Sequence, residues 1–264
     1  MDAFAAAGRH ARLVPARSGF DPPPAEALVF LAVPDDAVAA MASSLGTAAL
    51  PAGIAVAHVS GALGLDALDA LRAGHDVGSF HPLQSFPAPR SPVAFRGATV
   101  AVDASTPALL KDLTALARAI GAKPVHVDGG QRALYHAAAV FASNYVVAVV
   151  AEGMRVLRAA GWEEADAATA LIPLVEGVVA SLREQGPTKA LTGPIRRGDA
   201  ATVTRHIKAL RRVGGRPKPE ALYRMLGEAA LEIAREAGLH PAAARSVQRA
   251  LTGKTAATRR RSRA

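Results

Sequence analysis

From Gln131 to Val150 the chain runs without glycine or proline, and most positions are apolar. That density exceeds what a surface helix carries and predicts a helix buried on most sides. Asp128-Gly129-Gly130, just before it, is a turn signal. Upstream, short apolar runs alternate with helical patterns. Ala27–Val33 is continuous in the manner of a strand covered on both faces. Pro34-Asp35-Asp36 ends it, and the aspartates suit the start of a helix over Ala37–Leu45. The unit then recurs as a strand at Gly53–Val59, a small-residue turn at Ser60–Gly64 and a helix at Leu65–Ala73. Further strands are predicted at Val77–Phe80, Ala98–Val102 and Pro124–Val127, with a helix at Pro107–Ile120. Met1–Gly8 reads as the end of a helix stopped by glycine, and Ala11–Pro15 as a short strand that Pro15 confines to an edge or strand end.

Repeated βα units with short joints predict an α/β domain with a mainly parallel sheet and right-handed crossovers. Past Gln131 only helical patterns remain, at Gln131–Ala160, Glu163–Gln185, Ala200–Arg212, Pro219–Ala237 and Pro241–Leu251, with Thr192–Asp199 as a long irregular joint. The expected layout is an α/β domain over residues 1–127, an all-α domain over 128–254 and a tail over 255–264. The Gln131 helix is the seam, and the small Ala137, Ala138 and Ala139 predict close helix approach along it.

A chain of 264 residues, half of them apolar, can bury a core and is long enough for two modest domains. The absence of cysteine excludes disulfides and thiolate metal sites, and the histidines have no ligand-type spacing. No signal-peptide pattern opens the sequence, and Glu152 and Arg155 interrupt the longest apolar run, so a soluble, cytoplasmic protein without a membrane span is expected. The net charge of +9 divides into −2 over residues 1–130 and +11 over the rest. Part of the excess sits in Thr258–Ala264; a nucleic-acid contact is one reading, but no aromatic residue interleaves the arginines, which favours a solvated basic end.

Five segments occur in order: Leu31-Ala-Val-Pro-Asp-Asp36, His58-Val-Ser-Gly-Ala-Leu-Gly64, His81-Pro-Leu-Gln-Ser-Phe86, Tyr135-His-Ala-Ala-Ala-Val-Phe-Ala-Ser-Asn144 and Thr192-Gly-Pro-Ile-Arg-Arg-Gly-Asp199. Together they resemble the bacterial proteins that join a Rossmann-like domain to the domain of unknown function 2520, from about Ala27 to Leu251. Such proteins look like distant relatives of NADP-dependent reductases of the ketopantoate, pyrroline-carboxylate and prephenate dehydrogenase kinds. The resemblance implies a Rossmann-like α/β domain, an all-α domain and an NADP-type cofactor, with no particular substrate.

The sequence departs from that pattern in having no G-x-G-x-x-G, the glycine frame that admits a pyrophosphate to a helix N-terminus. Ala11–Pro15 could then be strand 2, with Arg17 and Ser18 near a 2′-phosphate, or strand 3, with two strands and the phosphate loop missing. The short connection to the next strand favours the latter. On this reading the chain is N-terminally incomplete or damaged, binds NADPH weakly or not at all, and aggregates readily.

His81 stands at a strand's C-terminal end, where open α/β sheets bind ligands, and could donate to a carbonyl and exchange its proton near neutral pH. Capping of loop carbonyls is the competing role. Gln84 adds an amide. His136 and Ser143 fall within about 20° on a helical projection, and Asn144 within about 80° of His136. By analogy with hydroxyacid dehydrogenase-like enzymes, where the first helix of the α-domain points a lysine and an asparagine at the substrate, these three would face substrate with histidine in place of lysine; alternatively they bond neighbouring helices. Tyr135 is read as a packing residue with a tethered hydroxyl, and His58 as structural. Val33, Pro34, Ser60 and Gly61 end successive strands, the edge where a nicotinamide ribose would lie, although such residues serve any βα turn. Arg196 and Arg197 could clamp a carboxylate or phosphate, or remain solvated, and Arg197 is the candidate substrate ligand.

The expected function is thus an NAD(P)-dependent oxidoreductase-like protein acting on a small carbonyl, imine or hydroxy compound. The competing reading is a non-catalytic binding or regulatory protein on the same fold. A homodimer through the α-domain is a further expectation.

Overall fold

The computed structural model describes residues 2–15, 23–24, 26–48, 50–86, 91–216 and 218–253. Contacts divide the chain into two compact units, Met1–Tyr145 and Val146–Ala264. Arg17, Ser18 and the basic tail lie outside the described residues.

In the first unit the apolar runs become β1 (Leu28–Leu31), β2 (Ala55–His58), β3 (Val77–Pro82), β4 (Thr99–Ala104) and β5 (Lys123–His126), in that spatial order. β1, β2 and β3 are parallel, as are β4 and β5. β3 and β4 are antiparallel, with Phe80 opposite Val102. Among the described residues their connection holds a 3₁₀ turn at Pro92–Phe95 and no crossover helix, and the chain folds back beside the strand it left. Among the described residues no strand pairs with the outer edge of β1. Ala11–Pro15, expected as a strand, has no regular structure.

Helix α1 (Asp2–Ala6) ends at Gly8, whose φ of 71° is the left-handed conformation that glycine adopts without strain. Helix α2 (Asp35–Thr47) and a 3₁₀ helix at Leu65–Leu71 cover one sheet face with Val38, Ala42, Leu45, Leu68 and Leu71. The expected helix at Leu65–Ala73 is therefore 3₁₀ rather than α. Helix α3 (Pro107–Ala119), capped by Thr106, covers the other face with Leu109, Leu113 and Ala117. The strand period of two explains both layers: Val56 enters the α2 core, and its neighbour Ala57 the α3 core.

The long helix predicted from Gln131 is two, α4 (Arg132–Ala142) and α5 (Asn144–Ala159). Ser143 separates them at φ −123°, ψ −74°. The predicted burial is overturned: in α4 only Arg132 is buried, in α5 nothing is, and Ala137 and Ala138 are exposed. Apolar content alone does not bury a helix; a packed neighbour must be there to cover it.

The second unit continues with α6 (Glu164–Ala190), interrupted at Gly186 (φ 72°), one residue past the expected end at Gln185. Then come α7 (Gly193–Arg196), α8 (Ala200–Leu210), α9 (Pro219–Glu236) and α10 (Pro241–Thr252). Ile195, Val203, Ile207, Leu231, Ala234, Val247 and Leu251 form their core. Two stretches, Arg132–Ala159 and Glu164–Ala190, are long and apolar enough to cross a membrane.

Candidate functional site

The parallel register of β2 and β3 sets His58 beside Ser79, so the C-terminal ends of both strands open together. The turn after β2 is tied down by side chains. Ser60 N–H donates to His58 Nδ1 (3.2 Å), which leaves the proton on Nε2 to donate to the Gly64 carbonyl (3.1 Å). The Ser60 hydroxyl accepts from the amides of Ala62 and Leu63, each at 3.1 Å. His58 is fully buried, and burial lowers its pKa.

Helix α4 meets this turn through Arg132, which is 1% exposed. Its guanidinium donates to the Ser60 carbonyl (3.2 Å) and to the Ser79 hydroxyl. Residues at i, i+3 and i+4 share a helix face, so fixing Arg132 delivers Tyr135 and His136 to the same strand ends. The Tyr135 hydroxyl lies 2.8 Å from His81 Nδ1. The ring centroids of His81 and His136 are 6.2 Å apart.

Gly61 lies against both histidines. A Cβ there would stand 2.7 Å from His136 Nδ1 and 2.8 Å from His81 Cε1 and Nε2. His136 Nδ1 and Arg132 Nε are buried without a hydrogen-bond partner among the described residues. Burial, then the neighbouring His136 and Arg132, lower His81 to about 4. This corrects the expectation of a histidine titrating near neutrality: at pH 7 His81 is a neutral imidazole. Burial also raises Tyr135, which keeps its hydroxyl protonated. With Tyr135 donating to Nδ1, His81 carries its proton on Nε2 and can hydrogen-bond a carbonyl or hydroxyl oxygen.

His81, His136, Ser60 and Gly61 are therefore brought together, within the first unit. Ser60 and Gly61 are engaged by protein groups, while Val33 and exposed Pro34 lie just beyond β1. Gln84 is turned to its own loop, donating to the Ala94 carbonyl (3.3 Å) and accepting from Ser85 N–H (2.9 Å). Ser143 Oγ is 2.8 Å from both the Ala139 carbonyl and Asn144 Oδ1, so Ser143 and Asn144 meet each other at the α4–α5 break. Arg197 is in the second unit, on an open depression of about 610 Å³ that Thr192, Arg196 and His240 also line.

Arg132 and the bond from Tyr135 to His81 were not singled out in the sequence. The signal was there: an arginine opening an apolar helix directly after a glycine turn, with Tyr and His three and four residues on.

The model of the Domain of unknown function (DUF2520) matches residues 98–230, and that of the Rossmann-like domain matches residues 11–82. No curated protein matches the sequence. A Thermotoga maritima protein of solved structure is similar over 82% of this chain and 81% of its own, with TM-score 0.68 and 24% identity. A Bacteroides fragilis protein, provisionally named an NADP oxidoreductase, is similar over 78% and 76%, with TM-score 0.66 and 22% identity. An NADH-preferring ketol-acid reductoisomerase from an uncultured archaeon is similar over 89% and 70%, with TM-score 0.50 and 15% identity. At these identities the likeness establishes the fold: a Rossmann-like domain followed by a mostly helical region.

Proposed function

This chain belongs to the family of the domain of unknown function 2520, and on that premise we propose that it is an NAD(P)-dependent oxidoreductase-like protein acting on a small carbonyl, imine or hydroxy compound. The observation that carries the reading is the cluster of His81, Tyr135 and His136 at the C-terminal ends of β2 and β3. Open α/β sheets bind their ligands at such ends. His136 Nδ1, buried beside Gly61 and without a partner among the described residues, also calls for a polar ligand group.

The residues fit the two ends of a dinucleotide unequally. Val33, Pro34, Ser60 and Gly61 would hold the nicotinamide ribose; a nicotinamide supplies or accepts a hydride when bound. The sequence has no G-x-G-x-x-G to frame the pyrophosphate, so affinity is weak. His81 orients the substrate oxygen through Nε2–H, and Tyr135 fixes that tautomer. His136 supplies a second polar contact from α4. Asn144, Ser143 and Gln84 are assigned to the substrate's periphery, Arg197 remains a candidate anion ligand on the second unit's own depression, and the protein works in the cytoplasm on a small molecule rather than on nucleic acid.

The absent glycine motif equally supports the second reading, a non-catalytic binding or regulatory protein on this fold. Titration of the full chain with NADPH, followed by cofactor fluorescence, separates the two. Weak saturable binding, together with NADPH-dependent reduction of a small carbonyl compound that is lost in His81→Gln, supports the oxidoreductase reading. No saturable binding at any concentration refutes it.

A further inference from the structure

Helices α5 and α6 are covered only in part, half-buried at best where they meet each other and where α6 meets α9. None of the 16 residues of α5 is buried, and of the 27 in α6 only Ala167 is. Helices of this length are marginal in water by themselves and owe their stability to an apolar face packed on something. Both have such a face. On α5, Val146, Val147 and Val149 are 42%, 70% and 42% exposed. On α6, Val178, Val179 and Leu182 are 48%, 47% and 44% exposed, and Ile172 and Leu174 continue the same stripe. On a helical projection each set falls within an arc of about 160°, which is one face and not a scatter.

A lipid bilayer is a poor occupant. The first stretch suited to a membrane begins at Arg132, and its first turns are fastened into the sheet unit by Arg132 on Ser60 and Tyr135 on His81. What remains is the 16-residue α5, roughly 24 Å long against a hydrocarbon core of about 30 Å, with Glu152, Arg155 and Arg158 inside it. Helix α6 carries Glu176 midway along its apolar stretch, and Gly186 interrupts it before its end. Size suits a protein partner instead. With Trp162, the exposed apolar side chains of α5 and α6 offer roughly 800 Å², about what one side of a stable dimer contributes.

We propose that the α5–α6 face pairs with the same face of a second copy of this chain across a two-fold axis. An isologous contact needs only one self-complementary patch, and an apolar face without a charge along its centre meets that condition. This inference is independent of the oxidoreductase reading.

Sedimentation velocity of the full chain tests it. A species of twice 27.0 kDa is expected, and the double substitution Val147→Glu, Val179→Glu should yield monomer with its helical circular dichroism retained. Because the chain has no cysteine, a single thiol gives a second measurement that disturbs the fold little. Val179→Cys should be cross-linked between copies by a bis-maleimide far faster than Lys111→Cys, which lies on α3. A 27.0 kDa wild-type chain at its highest soluble concentration, equal cross-linking at the two positions, or flotation of the chain with phosphatidylcholine vesicles would overturn the proposal.

Discussion

Adding one methyl group at Gly61 tests the histidine pair directly. The Gly61 backbone is outside the left-handed region, so Gly61→Ala meets no conformational penalty and its effect is steric. The new Cβ would stand 2.7 Å from His136 Nδ1 and 2.8 Å from His81 Nε2, whereas comfortable heavy-atom contacts lie near 3.5–4.0 Å. Neither ring yields freely. His81 is tethered by Tyr135 at 2.8 Å, and His136 rides on a helix that Arg132 fastens to the sheet. Overpacking of this kind costs about 1–3 kcal/mol, offset by about 0.4–1 kcal/mol from the stiffer unfolded chain. A net loss of about 1–2 kcal/mol corresponds to a Tm lower by roughly 3–8 °C for a unit of this size. Thermal melting should be paired with imidazole ¹⁵N NMR, in which both His81 and His136 signals move. Gly129→Ala, which meets nothing within 4 Å, is the control: it should raise Tm slightly through the stiffer unfolded chain and leave both imidazole signals unmoved. If Gly61→Ala melts at the wild-type temperature with unmoved imidazole signals, the histidine pair does not sit over Gly61 and the site argued above is wrong.

Arg132→Met removes two hydrogen bonds from a buried charged group and should cost about 2–4 kcal/mol in denaturant unfolding; Arg132→Lys should not rescue it, since one ammonium cannot reach both Ser60 and Ser79. Tyr135→Phe leaves His81 Nδ1 without its donor, at a cost of about 0.5–1.5 kcal/mol, and NMR should show a changed His81 tautomer balance. The pH dependence follows from His81 being lowered from 6.5 to about 4. As pH falls through 6.5 the unfolded chain takes up a proton that the folded one refuses, so stability should be full above about 6.5 and decline towards 4. Allowing for partial exposure the loss is on the order of 1–2 kcal/mol, and His81→Gln should flatten that part of the profile. An acid limb identical in His81→Gln and wild type would show that this histidine is not held neutral by the fold.

Local patterns were enough to determine most elements. A strand is read from a short apolar run between turn residues, and a helix from its caps, because both signals reside in adjacent positions. Thus Ala27–Val33, Gly53–Val59, Pro107–Ile120 and the helices after Ala200 were legible, as was the order of an α/β unit before a helical one. The antiparallel return of β4 was not, since strand direction depends on how the chain between Pro82 and Thr99 travels in space. The sequence also overstated burial from Gln131 to Val150, because hydropathy records what a side chain prefers and not whether a neighbour is there to cover it. At the site, His81 stood out by its place at a strand's C-terminal end, and His136 as one of a few polar residues on an apolar helix. Their meeting over Gly61, and the fall of His81 to about 4, required the register of β2 on β3 and the anchoring of α4 by Arg132. Distances and desolvation belong to groups 54 and 72 residues apart in the chain, such as His81 with Tyr135 and Ser60 with Arg132, and only the tertiary structure brings such groups within reach.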